Sequence, residues 1–475
     1  SIRLLAIVGL LVAVAARCIY NPTAGTVASG LALVAAFTFS LRARRVFAPE
    51  ALGSLLAAIG RVPSRVQAAA LGVKALAGRT RVGRVSVLPV LVPAVLVTVF
   101  AGVFALANPV VAHAAAFVWT KVTRIAGLPA PGRIVLWGAA LVVGTSLLRP
   151  TWRAARGAEQ ATMGAAATTT ALLIARNALV GLNLLFLGYN VLDARYLWTG
   201  SPPAGMDTQQ YAHQGAFWLT VALLMLTAAV GVMFRGALAH DLRARASRTL
   251  AYVWIAQGFV LGLGTYRRIA IHVAKSGLSD LRIVGILGTS LVLSGLVLVA
   301  MKLRRERTFL WLLRRQLDAL VIGGVLYSVA PTHLVSAWVN VARVNRGEYR
   351  PILHSFRQSH EPESAAAYLP LLDHPDVRVR QGIAALLADE QRELRAAVER
   401  QGTWRQRDVA TRSALGALDR ASTRMEAELG SADPREARRV LLDISRVANR
   451  DGSLEELLSI PAAGPYEPAE RRTPY

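Results

Sequence analysis

A chain of 475 residues that is 54% hydrophobic and only 17% charged is too apolar for an ordinary soluble protein, whose charged share is usually about 25%, so its expected solvent is a bilayer. The formal net charge of +25 does not point to nucleic acid, because the basic side chains stand between long apolar runs, as membrane insertion requires, and no basic stripe with interleaved aromatics occurs. One cysteine, Cys18, excludes an intrachain disulfide, a Cys-based zinc site and an iron–sulfur cluster held by this chain alone.

Lysine occurs only at Lys74, Lys121, Lys275 and Lys302. Nearly all cations are therefore Arg, which with the Ala and Val richness points to a GC-rich bacterial genome. The opening residues, with Arg3 ahead of an apolar run and Ala15-Ala16 as a cleavage site, have the form of a secretory signal, but further apolar runs follow at once and residues 2–20 are expected to be a first membrane helix. Arg17 stands where a lipoprotein signal needs a small residue before Cys18.

A membrane helix needs about 20 mostly apolar residues. Such stretches lie near 2–20, 22–41, 86–107, 132–149, 172–198, 213–234, 249–266, 282–301 and 317–334. None alternates as a barrel strand would, and unpaired backbone groups are not tolerated in lipid, so each is expected to be a helix. The expected fold is all-α: a polytopic transmembrane helix bundle of about nine spans over residues 1–334, then a carboxyl-terminal helical extramembrane domain over 335–458 and a Pro-rich tail over 459–475.

The connections set the orientation, since cytoplasmic loops accumulate Lys and Arg. Residues 42–85 carry nine cations, from Arg42 to Arg84, against the single acid Glu50, and mix them with Leu52, Leu55, Leu56 and Ile59 as an interfacial amphipathic helix would. Arg149, Arg153 and Arg156, then Arg235, Arg243, Arg245 and Arg248, then Lys302, Arg304, Arg305 and Arg307 follow where alternation returns the chain to the same side. The connection 199–212 has no cation. The amino terminus is thus expected in the cytoplasm and the carboxyl-terminal domain outside, although 266–282 carries Arg267, Arg268, Lys275 and Arg282 on the side that parity makes external. Residues 107–131, with Trp119, Lys121 and Arg124, form a second interfacial segment.

Beyond residue 335 the sequence is charged, Ala-rich and helical. From Leu369 to Glu390 the pattern predicts a helix with Asp373 as N-cap, Pro375 in the first turn, and Val379, Ile383, Leu386 and Leu387 on one face, similar to the second helix of a HEAT-type repeat. Asp433-Pro434-Arg435-Glu436 is a capping-box pattern and announces a helix that runs toward Asn449.

Four segments carry a resemblance: NLLFLGYNVLDARYLW (Asn183 to Trp198), YAHQGAFWLT (Tyr211 to Thr220), YRRIAIHVAKSGLSDLR (Tyr266 to Arg282) and VNVARVN (Val339 to Asn345). Together they resemble bacterial polytopic inner-membrane proteins of unknown function, the domain-of-unknown-function families 4153 and 4173. In the third segment Arg268, Arg282 and Gly277-Leu278-Ser279 follow the family pattern, whereas His272 and Ser276 stand where Tyr is more usual. The resemblance implies a multi-pass protein of the bacterial inner membrane; it brings no substrate and no catalytic residue.

Ionisable groups inside a membrane are costly and so mark candidate sites. In the fifth span Arg176, Asn183 and Asn190 recur at intervals of seven, stacking on one helical face, with Asp193 a turn further on. Either they bond to neighbouring helices or they line a solute path. The seventh span carries Gln257, a Gly258-x-x-x-Gly262 motif that admits a close helix, and Tyr266-Arg267-Arg268 at its end. Asp193, Tyr211, Arg267, Arg268 and His272 are expected at one outer level, with Asp193 or Asp280 as acid partner for an Arg, and Arg282 close by. Haem between His213 and His272 is not expected beside such a crowd of Arg, and His354, His360, Glu361 and Glu363 lack the spacing of a helical zinc site and have the composition of a solvated linker. No cofactor or metal is expected. P-loop, nucleophile-elbow and zincin motifs are absent from the sequence.

These features suggest an integral membrane protein without recognisable catalytic machinery, serving as a scaffold or accessory subunit whose partners are membrane lipids and other membrane-protein subunits. The rival is a transporter or lipid-handling protein using the polar face of the fifth span. An enzyme acting on a lipid-linked substrate is a third reading.

Overall fold

The computed structural model describes residues 2–20, 26, 29–30, 33, 88–126, 165–201, 215–234, 238, 241–400 and 408–465. All regular structure among them is helical. Among the described residues, four helices are long and apolar enough to cross a membrane: α2 (Leu88–Ala107), Thr169–Trp198 within α4 (Ala165–Asp193) and the π-helical turn that extends it (Ala194–Trp198), α5 (Gly215–Met233) and α7 (Asp280–Arg304). α8 (Phe309–Val329) and α9 (Thr332–Val344) make a fifth if they are taken as one span bent by 60°.

Set against nine expected spans, these helices coincide with 86–107, 172–198, 213–234 and 282–301. The stretch 317–334 is not one straight span: Pro331, which lacks an amide hydrogen and disfavours helical backbone at Ala330, breaks it at the bend. Residues 249–266 lie inside α6 (Arg245–Ser276), whose Gln257, Tyr266 and paired Arg leave it below the apolarity of the other four. α6 has 32 residues, so at ~1.5 Å per residue it is longer than the ~30 Å hydrocarbon core. The cationic stretch after Tyr266 is thus mostly helix, and only residues 277–279 form the turn to α7. α1 (Ile2–Tyr20) and α3 (Pro109–Ala126) are the other helices before α4 among the described residues. The expected span 132–149, most of 22–41 and the amphipathic connection 42–85 lie outside the described residues.

The chain divides into two compact units, Ala43–Arg268 with Gly288–Val321 (the bundle unit), and Ser1–Arg42 with Ile269–Leu287 and Ile322–Tyr475 (the terminal unit). In the bundle unit, contacts between α4 and α6 keep a constant sequence offset of 67: Asn183 Nδ2 donates to the Leu250 carbonyl, and Asn190 Nδ2 donates to the Gln257 carbonyl. The two helices therefore run parallel. α2 runs parallel to α4 as well, with Phe100 and Phe104 against Phe186 and Tyr189. α5 is antiparallel to α6, since Leu226 meets Gly258 and Gly215 meets Arg268; α7 is antiparallel too, with Leu296 at Gly258 and Leu293 at Gly262. The Gly258-x-x-x-Gly262 motif thus admits leucines of both neighbours. Phe100, Phe104, Phe186, Tyr189 and Trp254 form a buried aromatic cluster with centroids 4.3–5.7 Å apart, a geometry that adds specific attraction to area burial.

In the terminal unit α10 (Val377–Arg400) packs against α11 (Val409–Arg420), α12 (Ser422–Leu429) and α13 (Pro434–Asn449). Val379, Ile383, Leu386 and Leu387 are all buried, as their spacing predicts. The helix starts later than expected, because Asp376 rather than Asp373 accepts the Arg378 amide at 2.9 Å as N-cap, while Asp373 ends a 3-10 segment (Ala365–Asp373) and pairs with Arg424. Asp433 caps α13 as its sequence announces, accepting the Arg435 amide at 3.0 Å. Glu436 does not close the box: its carboxylate accepts the Gly464 amide at 3.1 Å. α14 (Leu454–Ser459) follows.

Candidate functional site

In the bundle unit, the end of α4 carries Tyr189 and Asp193, and α6 runs alongside with Arg268 in register. Arg268 is fully buried and Asp193 nearly so. The guanidinium grips the carboxylate with both terminal nitrogens, Nη1 to Oδ2 at 2.8 Å and Nη2 to Oδ1 at 2.6 Å. Nη2 also donates to the Tyr189 hydroxyl at 3.3 Å and Nη1 to the Gly264 carbonyl at 3.4 Å. A bidentate pair of this kind compensates the desolvation of two charges as fully as geometry allows.

The pair is also walled in. A methyl group on Gly215 would lie 2.4 Å from Arg268 Nε, 2.7 Å from its Cδ and 3.2 Å from the Ala107 carbonyl oxygen. One on Gly264 would lie 3.0 Å from Asp193 Oδ2. Two glycines on two helices thus give the ion pair its room.

Further back along α4, Asn183 accepts from Gln257 (2.8 Å) and donates to the Leu179 and Leu250 carbonyls, and Asn190 donates to the Gln257 carbonyl at 3.3 Å. The seven-residue spacing therefore marks a polar seam between parallel helices. Arg176 does not share it: its side chain is exposed. Arg267 is exposed as well, one residue before Arg268 and hence on another face of the helix. Tyr211 lies outside the described residues. Lys302, counted among the cations of an inner loop, is instead buried, and its ammonium donates to the Gly231 carbonyl at 3.2 Å and to that of Phe234. There it satisfies carbonyls at the end of α5 that the helix itself leaves open.

The remaining candidates, His272, Asp280 and Arg282, belong to the terminal unit. Asp280 is not the partner of Arg268; it pairs with His333 Nδ1 at 2.9 Å. Arg282 donates to the Gly277 carbonyl rather than to an acid. The turn between α6 and α7 is held from α9: Asn340 Oδ1 accepts the Leu278 amide at 2.7 Å and its Nδ2 donates to the Leu278 carbonyl at 2.8 Å. Gly277, at φ +94°, supplies the left-handed residue that this turn requires. Gln358 shares the Leu278 carbonyl at 3.3 Å and is itself bonded by Asn340 and the Tyr368 hydroxyl. Arg343 of α9 donates to the Val273 and Ala274 carbonyls at the end of α6. Sequence spacing gave no sign of His333 or Gln358 here, because both reach the turn from across the unit.

Residues 350–373 are no solvated linker: Pro351, Ile352, Ala365 and Tyr368 are buried core of the terminal unit. Burial, reinforced by the nearby Arg282 guanidinium, holds the His354 imidazole below its ordinary range, and burial pushes the Tyr368 hydroxyl upward. At the start of α10, burial alone would raise the Asp376 carboxyl, but hydrogen bonds from the Arg378 side chain and amide hold it low.

The four segments that carried the resemblance are those that make these contacts. The first supplies Asp193, Tyr189, Asn183 and Asn190; the second Gly215; the third Arg268 and Gly277-Leu278; the fourth Asn340. Residues 2–365 match the sequence model of a family described as Domain of unknown function (DUF4153). No curated protein and no solved structure matches the chain.

Proposed function

The chain belongs to the DUF4153 family, and from that premise we propose that it is a scaffold or accessory subunit of a membrane assembly in the bacterial inner membrane. The kinship with family 4173 belongs to the same reading. The observation that carries the proposal is the buried, bidentate Arg268–Asp193 pair with Tyr189 beside it. Its charged atoms are bonded to one another, it is buried, and glycines close around it. Such a group fixes helix register. The Asn183–Gln257–Asn190 seam supports the same role, since these amides bond across parallel helices. The exposed apolar residues of α2, among them Val90, Leu91 and Val95, suit contact with lipid or with the helices of partner subunits.

The test is purification of the full chain in mild detergent with identification of what accompanies it. A stoichiometric protein companion is the expected result. A retained solute or lipid without a protein companion would favour the transporter or lipid-handling reading and contradict the scaffold. We place the amino terminus in the cytoplasm and the carboxyl-terminal helices outside, from the distribution of Arg. In a Cys18→Ser background, single cysteines at Thr208 and at Ala396 should both be labelled from outside the cell. Labelling at the first alone would reverse the side of the carboxyl-terminal helices.

A further inference from the structure

We propose that His360, Glu390 and Glu393 of the terminal unit form a binding site for a divalent first-row transition cation, Zn²⁺ being the best-fitting probe. His360 Nδ1 lies 2.8 Å from Glu390 Oε2 and 3.9 Å from Glu393 Oε2, and one ligand atom from each residue falls within 4.8 Å of the others. A zinc ion sits about 2.0–2.2 Å from nitrogen and carboxylate ligands. Tetrahedral ligands at that radius are spaced by about 3.3 Å, so the nearest pair must open slightly and Glu393 must swing inward. Glu393 can do so: its side chain is 68% exposed, and it stands three residues after Glu390 on the same face of α10.

Glu390 is the fixed element. Its carboxylate is only 2% exposed, an unusual place for an acid, and the imidazole that meets it is half open to solvent. The two carboxylates bring negative charge to the imidazole, and the neighbouring cations are engaged elsewhere: Arg392 with Asp389, Arg395 with Asp419, Arg17 with Glu363. A dication balances that charge. Imidazole nitrogen selects zinc and its neighbours over Mg²⁺ and Ca²⁺, which prefer all-oxygen shells. Three protein ligands leave a position for water, the pattern of an open zinc site. The sequence spacing hides this site, because the histidine and the glutamates lie on different elements and no i, i+4 pair announces it.

The experiment uses the full chain in detergent, stripped with chelator and titrated with Zn²⁺ alone, reading bound metal and the thermal midpoint. The parent should take up one equivalent and melt higher with zinc. His360→Ala and Glu393→Gln, both changes at exposed positions, should each weaken binding at least ~10-fold and abolish the thermal shift. His113→Ala, which alters an exposed histidine of the bundle unit, should leave both unchanged. No uptake by the parent, or uptake that persists at equal affinity in His360→Ala and Glu393→Gln, would overturn the proposal and leave a plain histidine–carboxylate contact. Loss of uptake in His113→Ala would likewise overturn it.

Discussion

The buried Arg–acid pair of the bundle unit and the surface Arg–acid pairs of the terminal unit use the same kinds of side chain in opposite ways. In the bundle unit one Arg and one Asp, Arg268 and Asp193, are withdrawn from water and bonded to one another. In the terminal unit Arg and acid meet repeatedly at the surface, as in Arg395–Asp419, Arg446–Asp443 and Arg450–Glu456. A buried pair is costly to form and more costly to halve, whereas an exposed pair competes with water and contributes about 0–1 kcal/mol. One ion pair can therefore govern the stability of a helix bundle while several surface pairs barely affect a helical domain.

The sharpest way to break the contrast is Arg268→Ala. It leaves Asp193 buried without its guanidinium and should cost about 3–5 kcal/mol, read as a large fall in thermal midpoint or in yield from detergent. Gly215→Ala should come next. Its methyl group meets a guanidinium that cannot retreat, because Asp193 and Tyr189 hold it, and overpacking of this kind costs about 1–3 kcal/mol. The same measurement checks it, with Gly188→Ala, which meets nothing within 4 Å, as the comparison.

In the terminal unit, Asn340→Ala strips two bonds from the Leu278 backbone, leaving only that of Gln358 to the carbonyl, and should cost about 1–3 kcal/mol, with faster amide exchange in residues 277–279 as a local readout. Acid should weaken the same unit through His354. Its folded value is depressed below 6.5, so the unfolded chain takes up a proton first. The stabilisation from neutral His354 is present above that value and is lost as pH falls toward the folded value. Relative to His354→Gln, the parent should lose thermal stability as pH falls from neutrality through 6.5. A constant difference across that window would show that His354 does not titrate in this way. The smallest effect belongs to Arg395→Ala, expected to change stability by no more than about 1 kcal/mol; a larger loss would erase the contrast between the units.

Much of the bundle was legible in the sequence. A buried Arg on an apolar helix must find an acid, so Arg268 with Asp193 or Asp280 follows from cost alone. The choice between them does not: Asp280 is far nearer in sequence, but Asp193 wins because α4 and α6 run parallel in a register set by the Asn183–Gln257 seam. The break at Pro331 was hidden by apolar residues on both sides of it. The inward turn of Lys302 was equally hidden, since cation counts do not distinguish a loop from a helix cap. In the carboxyl-terminal part the buried face of α10 was plain from its period, yet its N-cap was misplaced by three residues because Asp373 and Asp376 both precede the apolar run and only the latter bonds an amide of the first turn. The His360–Glu390 contact was out of reach, as no local spacing joins residues on separate elements.

The central claim is that Arg268 and Asp193 serve as a structural lock, and a double-mutant cycle tests it most directly. Thermal midpoints in detergent would be compared for the parent, Arg268→Leu, Asp193→Leu and the double variant, with lipid and partner retention followed alongside. The lock predicts that each single change is severely destabilising and that the double change recovers most of the loss, since removing both charges leaves no orphan in the apolar interior. Arg268→Leu melting at or above the parent, with bound lipid or partner lost, would contradict the account and make the cluster a binding site.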